Sequence, residues 1–136
     1  MANLMQGKRG LIMGVANERS IAWGAARILA GQGAELAFTF QGEALEKRVR
    51  PLAASVGSMH VMPCDVTDAA SMDAVFAALK ADWGSLDFLV HAIAFADKAE
   101  LDGRYVDTTE GNFAKSLLIS CYSFTALAQR AEKLMS

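Results

Sequence analysis

Short apolar runs and helix-like segments alternate along this chain, and the alternation restricts its possible folds more than any other feature. The strand-like runs are residues 9–13, 34–40, 59–66 and 86–95. The helix-like segments are residues 20–33, 42–57, 67–84 and, after a polar loop at 96–108, residues 109–135. Strands that alternate with helices imply right-handed crossovers and a parallel sheet with helices on both faces. The sequence therefore predicts a doubly wound α/β sheet with strand order 3-2-1-4, and residues 1–136 as part of a single domain.

Local signals support individual helices. Ser20 and Asp68 are candidate N-caps, and apolar residues in the third helix recur at helical spacing. Pro51 falls inside the second predicted helix, where it is expected to bend or interrupt it.

Composition and charge exclude several functional classes. The chain is 53% hydrophobic with a formal net charge of −2 and no basic stripe, so nucleic-acid binding is not expected. The most apolar stretch, 86–96, is well short of the roughly 20 residues that a membrane crossing requires. Cys64 and Cys121 lack zinc-ligand spacing and are interpreted as small apolar residues, which predicts no metal site and a cytoplasmic protein.

The loop "MGVANERSIAWG" at residues 13–24 follows the first strand, where ligands of a doubly wound sheet bind. Gly14 permits a tight turn, and the helix that begins at Ser20 offers free N–H groups and a hydroxyl to a phosphate. Ala22 and Gly24 are small enough for the helix to pack closely on the strand. An ordinary strand-to-helix turn also favours a glycine and a helix cap. This loop alone is therefore compatible with a cofactor-binding loop and with a purely structural turn.

The residues that follow two other strands also favour a nucleotide-binding site. Gln41 follows the second strand, and the absence of arginine at residues 40–42 favours NADH over NADPH. After the third strand, the Asp65 carboxylate can accept a hydrogen bond from an adenine amino group, and the Val66 amide can donate to a ring nitrogen. The fourth strand ends in small residues around Ile93 that allow close backbone approach. His91 is interpreted as a buried, hydrogen-bonded histidine.

The stretches "GVANERSIAWG", "AELAFTFQ", "CDV" and "HAIAFADKAELDGRYVDT" together resemble the bacterial enoyl-acyl-carrier-protein reductases. These enzymes are a divergent branch of the short-chain dehydrogenases, which have a Rossmann fold, and the resemblance runs along essentially the whole chain. It implies hydride transfer from NADH to the trans-2 double bond of an acyl chain carried on acyl carrier protein. It also identifies the glycine loop as a cofactor loop with altered spacing.

The resemblance implies roles for individual residues. Gly14, Ser20 and Ile21 are expected at the pyrophosphate and nearby ribose, and Gln41 near the adenosine. Asp65 and Val66 are expected at the adenine, Ile93 toward the nicotinamide, and Ala96 beside the acyl substrate. A glycine is common in the family where this chain has Ala94, and the added methyl is expected to alter inhibitor sensitivity.

The family's catalytic tyrosine and lysine follow a fifth strand, and no such motif occurs in residues 1–136. Tyr105 and Tyr122 do not fit it, so these residues are expected to form the N-terminal part of a dinucleotide-binding domain that is inactive alone. The long helix has too many apolar residues for a single apolar stripe. This predicts that a second face of the helix is also buried, either by another subunit of a homotetramer or by further residues of the same polypeptide. A short-chain carbonyl reductase and a non-catalytic dinucleotide-binding module are the alternative functions.

Overall fold

The computed structural model describes residues 3–136, and its sheet has the predicted topology. The strands are β1 (Arg9–Met13), β2 (Glu35–Phe40), β3 (His60–Pro63) and β4 (Phe88–His91), all parallel in the order β3-β2-β1-β4. The crossover helices are α1 (Ile21–Gly31), α2 (Glu43–Ser55) and α3 (Ala69–Asp82). The predicted doubly wound sheet with order 3-2-1-4 is confirmed.

The sheet is covered on both faces because successive strand residues point to opposite sides. On β1, Leu11 and Met13 pack into a cluster with α3 residues such as Leu79, whereas Ile12 packs into a second cluster with Phe38. All five side chains are at most 1% exposed. This accounts for the unbroken apolar run in β1, which is typical of strands buried on both faces.

The strands β3 and β4 are shorter than predicted, because the chain turns out of the sheet into loops with their own hydrogen bonds. The Cys64 N–H still bonds to the Phe40 carbonyl at 2.8 Å, and the Ala92 N–H to the Met13 carbonyl at 3.0 Å. Beyond those bonds, Asp65 bonds to Thr67 and Phe95 is held by Ser120. The shortening places both segments at the carboxyl edge of the sheet.

Helix α2 is continuous through Pro51, so of the two predicted effects, a bend or an interruption, the interruption does not occur. Pro51 has no N–H to donate to the preceding turn, but it lies on the exposed side of α2. The backbone carbonyl left without that donor can bind water there. The Asp68 cap of α3 is confirmed, since its carboxylate accepts the Ala70 N–H at 3.0 Å. Gly24 is not needed for close packing, because a Cβ there would meet nothing within 4 Å, whereas Ala22 is buried.

The last predicted helix consists of three segments: α4 (Glu110–Leu117), a π-helix (Leu118–Tyr122) and α5 (Ser123–Ala131). At the junction, the Ser123 hydroxyl donates to the Ile119 carbonyl at 2.6 Å, a side-chain bond to the preceding turn that bends helices. The loop before α4 contains two 3-10 turns, Lys98–Glu100 and Tyr105–Asp107. Among residues 3–136, no helix has the length and apolar character that a membrane crossing needs.

Candidate functional site

A small cavity of about 110 Å³ lies where the carboxyl ends of the strands meet. Four of the predicted cofactor residues line it: Gly14, Gln41, Val66 and Ile93. The sequence interpretation did not identify the other lining residues, which are Met13, Val15, Thr39, Phe40, Leu45 and Cys64. Parallel strands bring all their carboxyl ends to one edge, and this convergence is the reason residues so far apart in sequence share a cavity.

Gly14 is the residue in this cavity that tolerates no side chain. Its φ of 110° lies in the region that only glycine adopts without strain. A Cβ at Gly14 would also overlap the carbonyl oxygen of Ala92, because β1 and the segment after β4 run side by side there. Gly14 is only partly buried and lines the cavity, so its backbone is open to a ligand at the end of β1.

Ser20 organises the loop between β1 and α1. Its Oγ accepts the N–H groups of Ala16 and Asn17 at 2.9 and 3.1 Å, and it makes no side-chain bond to the first turn of α1. Ser20 is the N-cap residue of α1, as predicted, but its side chain bonds to the preceding loop instead of capping the helix. Because the oxygen accepts both bonds, its hydrogen is available to a ligand.

The amino end of α1 carries free donors next to this loop. Within residues 3–136, the N–H groups of Ile21 and Ala22 have no hydrogen-bond acceptor. Helix α1 has 11 residues, so its dipole adds a partial positive charge at this end. Free amides and the dipole together make this end favourable for an anion such as a pyrophosphate.

A wider cleft of about 480 Å³ adjoins the first cavity, and Ile93 lines both. Ile21 projects into the open on its rim and is 88% exposed. The remaining lining residues are Ala22, His91, Ala92, Ala94 and Ser120. Ser20, Asp65 and Ala96 line neither space, so the structure does not bring every predicted residue to a cavity wall.

Asp65 is held in a fixed orientation next to the cavity. Its Oδ1 accepts the Thr67 N–H at 2.9 Å and the Thr67 hydroxyl at 2.6 Å, and its own N–H donates to Ser71 Oγ at 2.8 Å. Among residues 3–136, Oδ2 accepts no hydrogen bond and the Val66 N–H donates none. One carboxylate oxygen and one amide therefore remain for a ligand.

Burial also sets the chemistry of Cys64 on the cavity wall. Burial raises the pKa of the Cys64 thiol to about 11, with the neighbouring Asp65 charge adding to the rise. The thiolate is the reactive form of cysteine, so this residue is a neutral lining group at physiological pH. Among the described residues, no group of three or more His, Cys, Asp and Glu side chains is arranged as metal ligands.

His91 is hydrogen-bonded at the end of β4, as predicted. Its Nε2 lies 2.7 Å from the hydroxyl of fully buried Ser123, and its ring packs edge-on against Phe124 at 5.6 Å. The Ser123 hydroxyl also lies 2.6 Å from the Ile119 carbonyl oxygen, and when it donates there the His91 Nε2–H is the donor in this pair. Burial lowers the pKa of His91 below its ordinary value of 6.5, so the ring is neutral at pH 7.

This lowered pKa predicts an acid-dependent loss of stability. The unfolded chain binds the His91 proton more readily, so stability is present above the ordinary pKa of 6.5 and declines as the pH falls below it. The free energy of unfolding is expected to fall less between neutral and mildly acidic pH in His91→Gln than in wild type. Urea titrations over a pH series measure this difference. If the unfolding free energies of the two proteins fell in parallel with pH, the prediction would be contradicted.

The order of the sheet, the glycine turn after β1 and the free amides of α1 define a Rossmann-type α/β protein. The model of the "Enoyl-(Acyl carrier protein) reductase" family matches residues 14–136, and the chain belongs to this family.

Individual relatives agree with this family. The chain is 65% identical over all its 136 residues to "Enoyl-[acyl-carrier-protein] reductase [NADH] 2" of Rhizobium meliloti, covering 51% of that protein. Among solved structures, FabI of Candidatus Liberibacter asiaticus matches with a TM-score of 0.96 and 53% identity, over 98% of this chain and 52% of that one. The Anaplasma phagocytophilum reductase, solved in complex with NAD, matches with a TM-score of 0.94 and 57% identity, over 98% of this chain and 51% of its own. The chain thus spans about half the length of these relatives.

Proposed function

We propose that the full-length form of this protein, meaning this chain within a polypeptide of its relatives' length, is an NADH-dependent enoyl-acyl-carrier-protein reductase. It reduces the trans-2 double bond of acyl chains carried on acyl carrier protein during fatty-acid elongation. The observation that carries the proposal is the cavity where Gly14, Gln41, Val66 and Ile93 meet, in a chain matched by the reductase family model. The relative solved with NAD supports the choice of cofactor.

The residues at this edge fit a dinucleotide, because Gly14, Gln41, Val66 and Ile93 line one cavity and the amino end of α1 beside it carries free N–H groups. In the proposed complex, the Ile21 and Ala22 amides and the Ser20 hydroxyl donate to the pyrophosphate. Gln41 lies near the adenosine, and NADH is preferred because no arginine follows β2 at residues 40–42.

The other half of the proposed site uses the ends of β3 and β4. Asp65 Oδ2 accepts from the adenine amino group, and the Val66 amide donates to the ring. Ile93 lies along the nicotinamide half. When bound, NADH supplies the hydride, and Ala96 borders the acyl chain that receives it.

Turnover requires residues outside the 136 of this chain. Tyr105, 81% exposed, and Tyr122, 52% exposed, are its two tyrosines, and neither lines the cavity or the cleft. We therefore propose that residues 1–136 are the N-terminal part of a single dinucleotide-binding domain and do not catalyse reduction alone.

We also propose a homotetramer in the cytoplasm for the full-length form. Helix α5 buries Ala126 and Leu127 in the cluster that contains Leu11 and Met13 of β1. The helical segment from α4 to α5 also exposes the large apolar residues Phe113, Leu117, Leu118, Tyr122 and Phe124. Exposed apolar residues in this number are typical of an interface between subunits. Sedimentation velocity is expected to show a tetramer, and a monomer would contradict this part of the proposal.

The proposed cytoplasmic location is supported by the free thiol of exposed Cys121, which accords with a reducing compartment.

The test of function is NADH oxidation by the full-length form with crotonyl-acyl carrier protein. We expect turnover with the crotonyl thioester, none with the saturated butyryl thioester, and a higher kcat/KM with NADH than with NADPH. Acetoacetyl-acyl carrier protein tests the carbonyl alternative. Turnover with acetoacetyl thioester alone, or with neither substrate, would contradict the proposal.

A further inference from the structure

The segment between β4 and the first 3-10 turn is attached to the last helices at both sides of Ala96. Before Ala96, the Phe95 N–H donates to Ser120 Oγ at 2.9 Å, and the Ser120 hydroxyl donates to the Phe95 carbonyl at 3.2 Å. After it, the Asp97 N–H donates to Asn112 Oδ1 at 2.9 Å. The two residues that flank Ala96 are thus fixed by side chains of α4 and the π-helix.

This attachment matters because the segment has no regular structure of its own. Residues 92–97 belong to no strand or helix, and the methyl group of Ala96 can make no hydrogen bond. A further contact comes from Lys115, whose Nζ lies 3.2 Å from Asp97 Oδ1 and 4.8 Å from the centre of the Phe95 ring. That pair is about half exposed and contributes little. The backbone bonds to Ser120 and Asn112 therefore determine where Ala96 lies.

Ser120 is in the π-helix, the irregular part of an otherwise α-helical segment. π turns are rare and occur frequently at functional sites. This one presents the Ser120 hydroxyl to Phe95 in the loop, and Ser123, the first residue of α5, presents its hydroxyl to His91 of β4. The Ser120 hydroxyl lines the wide cleft, but it already accepts one hydrogen bond and donates another. The proton of the Ser120 hydroxyl and one of its two lone pairs are therefore both engaged by the backbone of Phe95.

We propose that Ser120, assisted by Asn112, is a positioning residue that holds Ala96 in place against the acyl chain of the substrate. This inference rests on the proposed function, since it takes Ala96 as a neighbour of the bound enoyl thioester. It predicts a selective effect on that substrate, because the NADH contacts at Gly14, Asp65 and Val66 lie on other loops, and Ile93 precedes the anchored residues Phe95 and Asp97. Displacement of a substrate-positioning group by about 1 Å can cost up to a hundredfold in rate.

The test compares Ser120→Ala, Ser120→Thr and Thr125→Ala in the full-length form. Thr125 is the matched control, because it is an exposed residue of α5 in the same helical segment and lines neither the cavity nor the cleft. For Ser120→Ala we expect kcat/KM for crotonyl-acyl carrier protein to fall about tenfold, with the Kd for NADH within about twofold of wild type. Ser120→Thr retains the hydroxyl and restores most of the activity, and Thr125→Ala resembles wild type.

The other possible results overturn either the positioning role of Ser120 or the proposed function. An unchanged kcat/KM in Ser120→Ala, or an equal loss of NADH affinity, overturns the positioning role while leaving the proposed function intact. An active Ser120→Ala with an inactive Ser120→Thr overturns it as well. Absence of crotonyl turnover in wild type overturns the proposed function and this inference with it. If Ser120→Ala does not fold, Ser120→Cys takes its place with the same expectations, because the thiol is a weak hydrogen-bonding group.

Discussion

Replacement of Gly14 by alanine is expected to abolish measurable NADH binding and to lower the free energy of unfolding by on the order of 3 kcal/mol. Two effects add at this residue. The φ of 110° is strained for any residue with a Cβ, and the new methyl overlaps the Ala92 carbonyl oxygen. Relief of that overlap requires β1 and the segment after β4 to separate, which alters the cavity that both line.

Gly24→Ala is the matched control for this experiment. Gly24 lies in α1 with open space around it, and alanine is favoured over glycine in helices by up to about 1 kcal/mol. This variant is therefore expected to bind NADH as wild type does and to be slightly more stable. Urea denaturation and fluorescence titration with NADH measure both variants. Wild-type NADH affinity in Gly14→Ala would contradict the placement of the cofactor.

Substitution of Asp65 by asparagine is expected to weaken NADH binding about tenfold, the effect of losing one hydrogen bond to a charged acceptor. The amide oxygen of the new side chain can still accept both Thr67 bonds, so the loop keeps its conformation. The amide nitrogen then replaces Oδ2, and it faces the adenine amino group with a donor instead of an acceptor.

Asp68→Asn provides the control, because Asp68 caps α3 through the Ala70 N–H and lines neither cavity. Asparagine is an equally good cap, so its stability and NADH affinity are expected to stay near wild type. Isothermal titration calorimetry measures the affinity, and thermal unfolding reports whether the loop is preserved. Equal NADH affinities for the two variants would remove Asp65 from the adenine site.

The sequence predicts the fold well because its signals are local. The apolar run of β1 identifies a strand buried on both faces, and the Asp68 cap identifies the start of α3. Parallel topology then places the strand ends together, so Gly14, Val66 and Ile93 could be assigned to one site from their place after each strand. The cavity residues Thr39 and Cys64 were missed because nothing local distinguishes them from core residues.

The features that the sequence did not reveal depend on tertiary contacts. The Ser20 oxygen binds the Ala16 and Asn17 amides rather than the helix, which the capping preference of serine does not predict. The π-helix is followed directly by Ser123, whose hydroxyl contacts both the Ile119 carbonyl and His91, on a strand 32 residues away. Helical periodicity in residues 109–135 contains no sign of that partner.

The most direct test of the account is a crystal structure of the full-length form with NADH. We expect the pyrophosphate against the Ile21 and Ala22 amides beside Gly14, and the adenine between Asp65 and Val66. A nucleotide bound elsewhere on the protein, with the carboxyl edge of the sheet empty, would contradict the assignment of this edge as the NADH site.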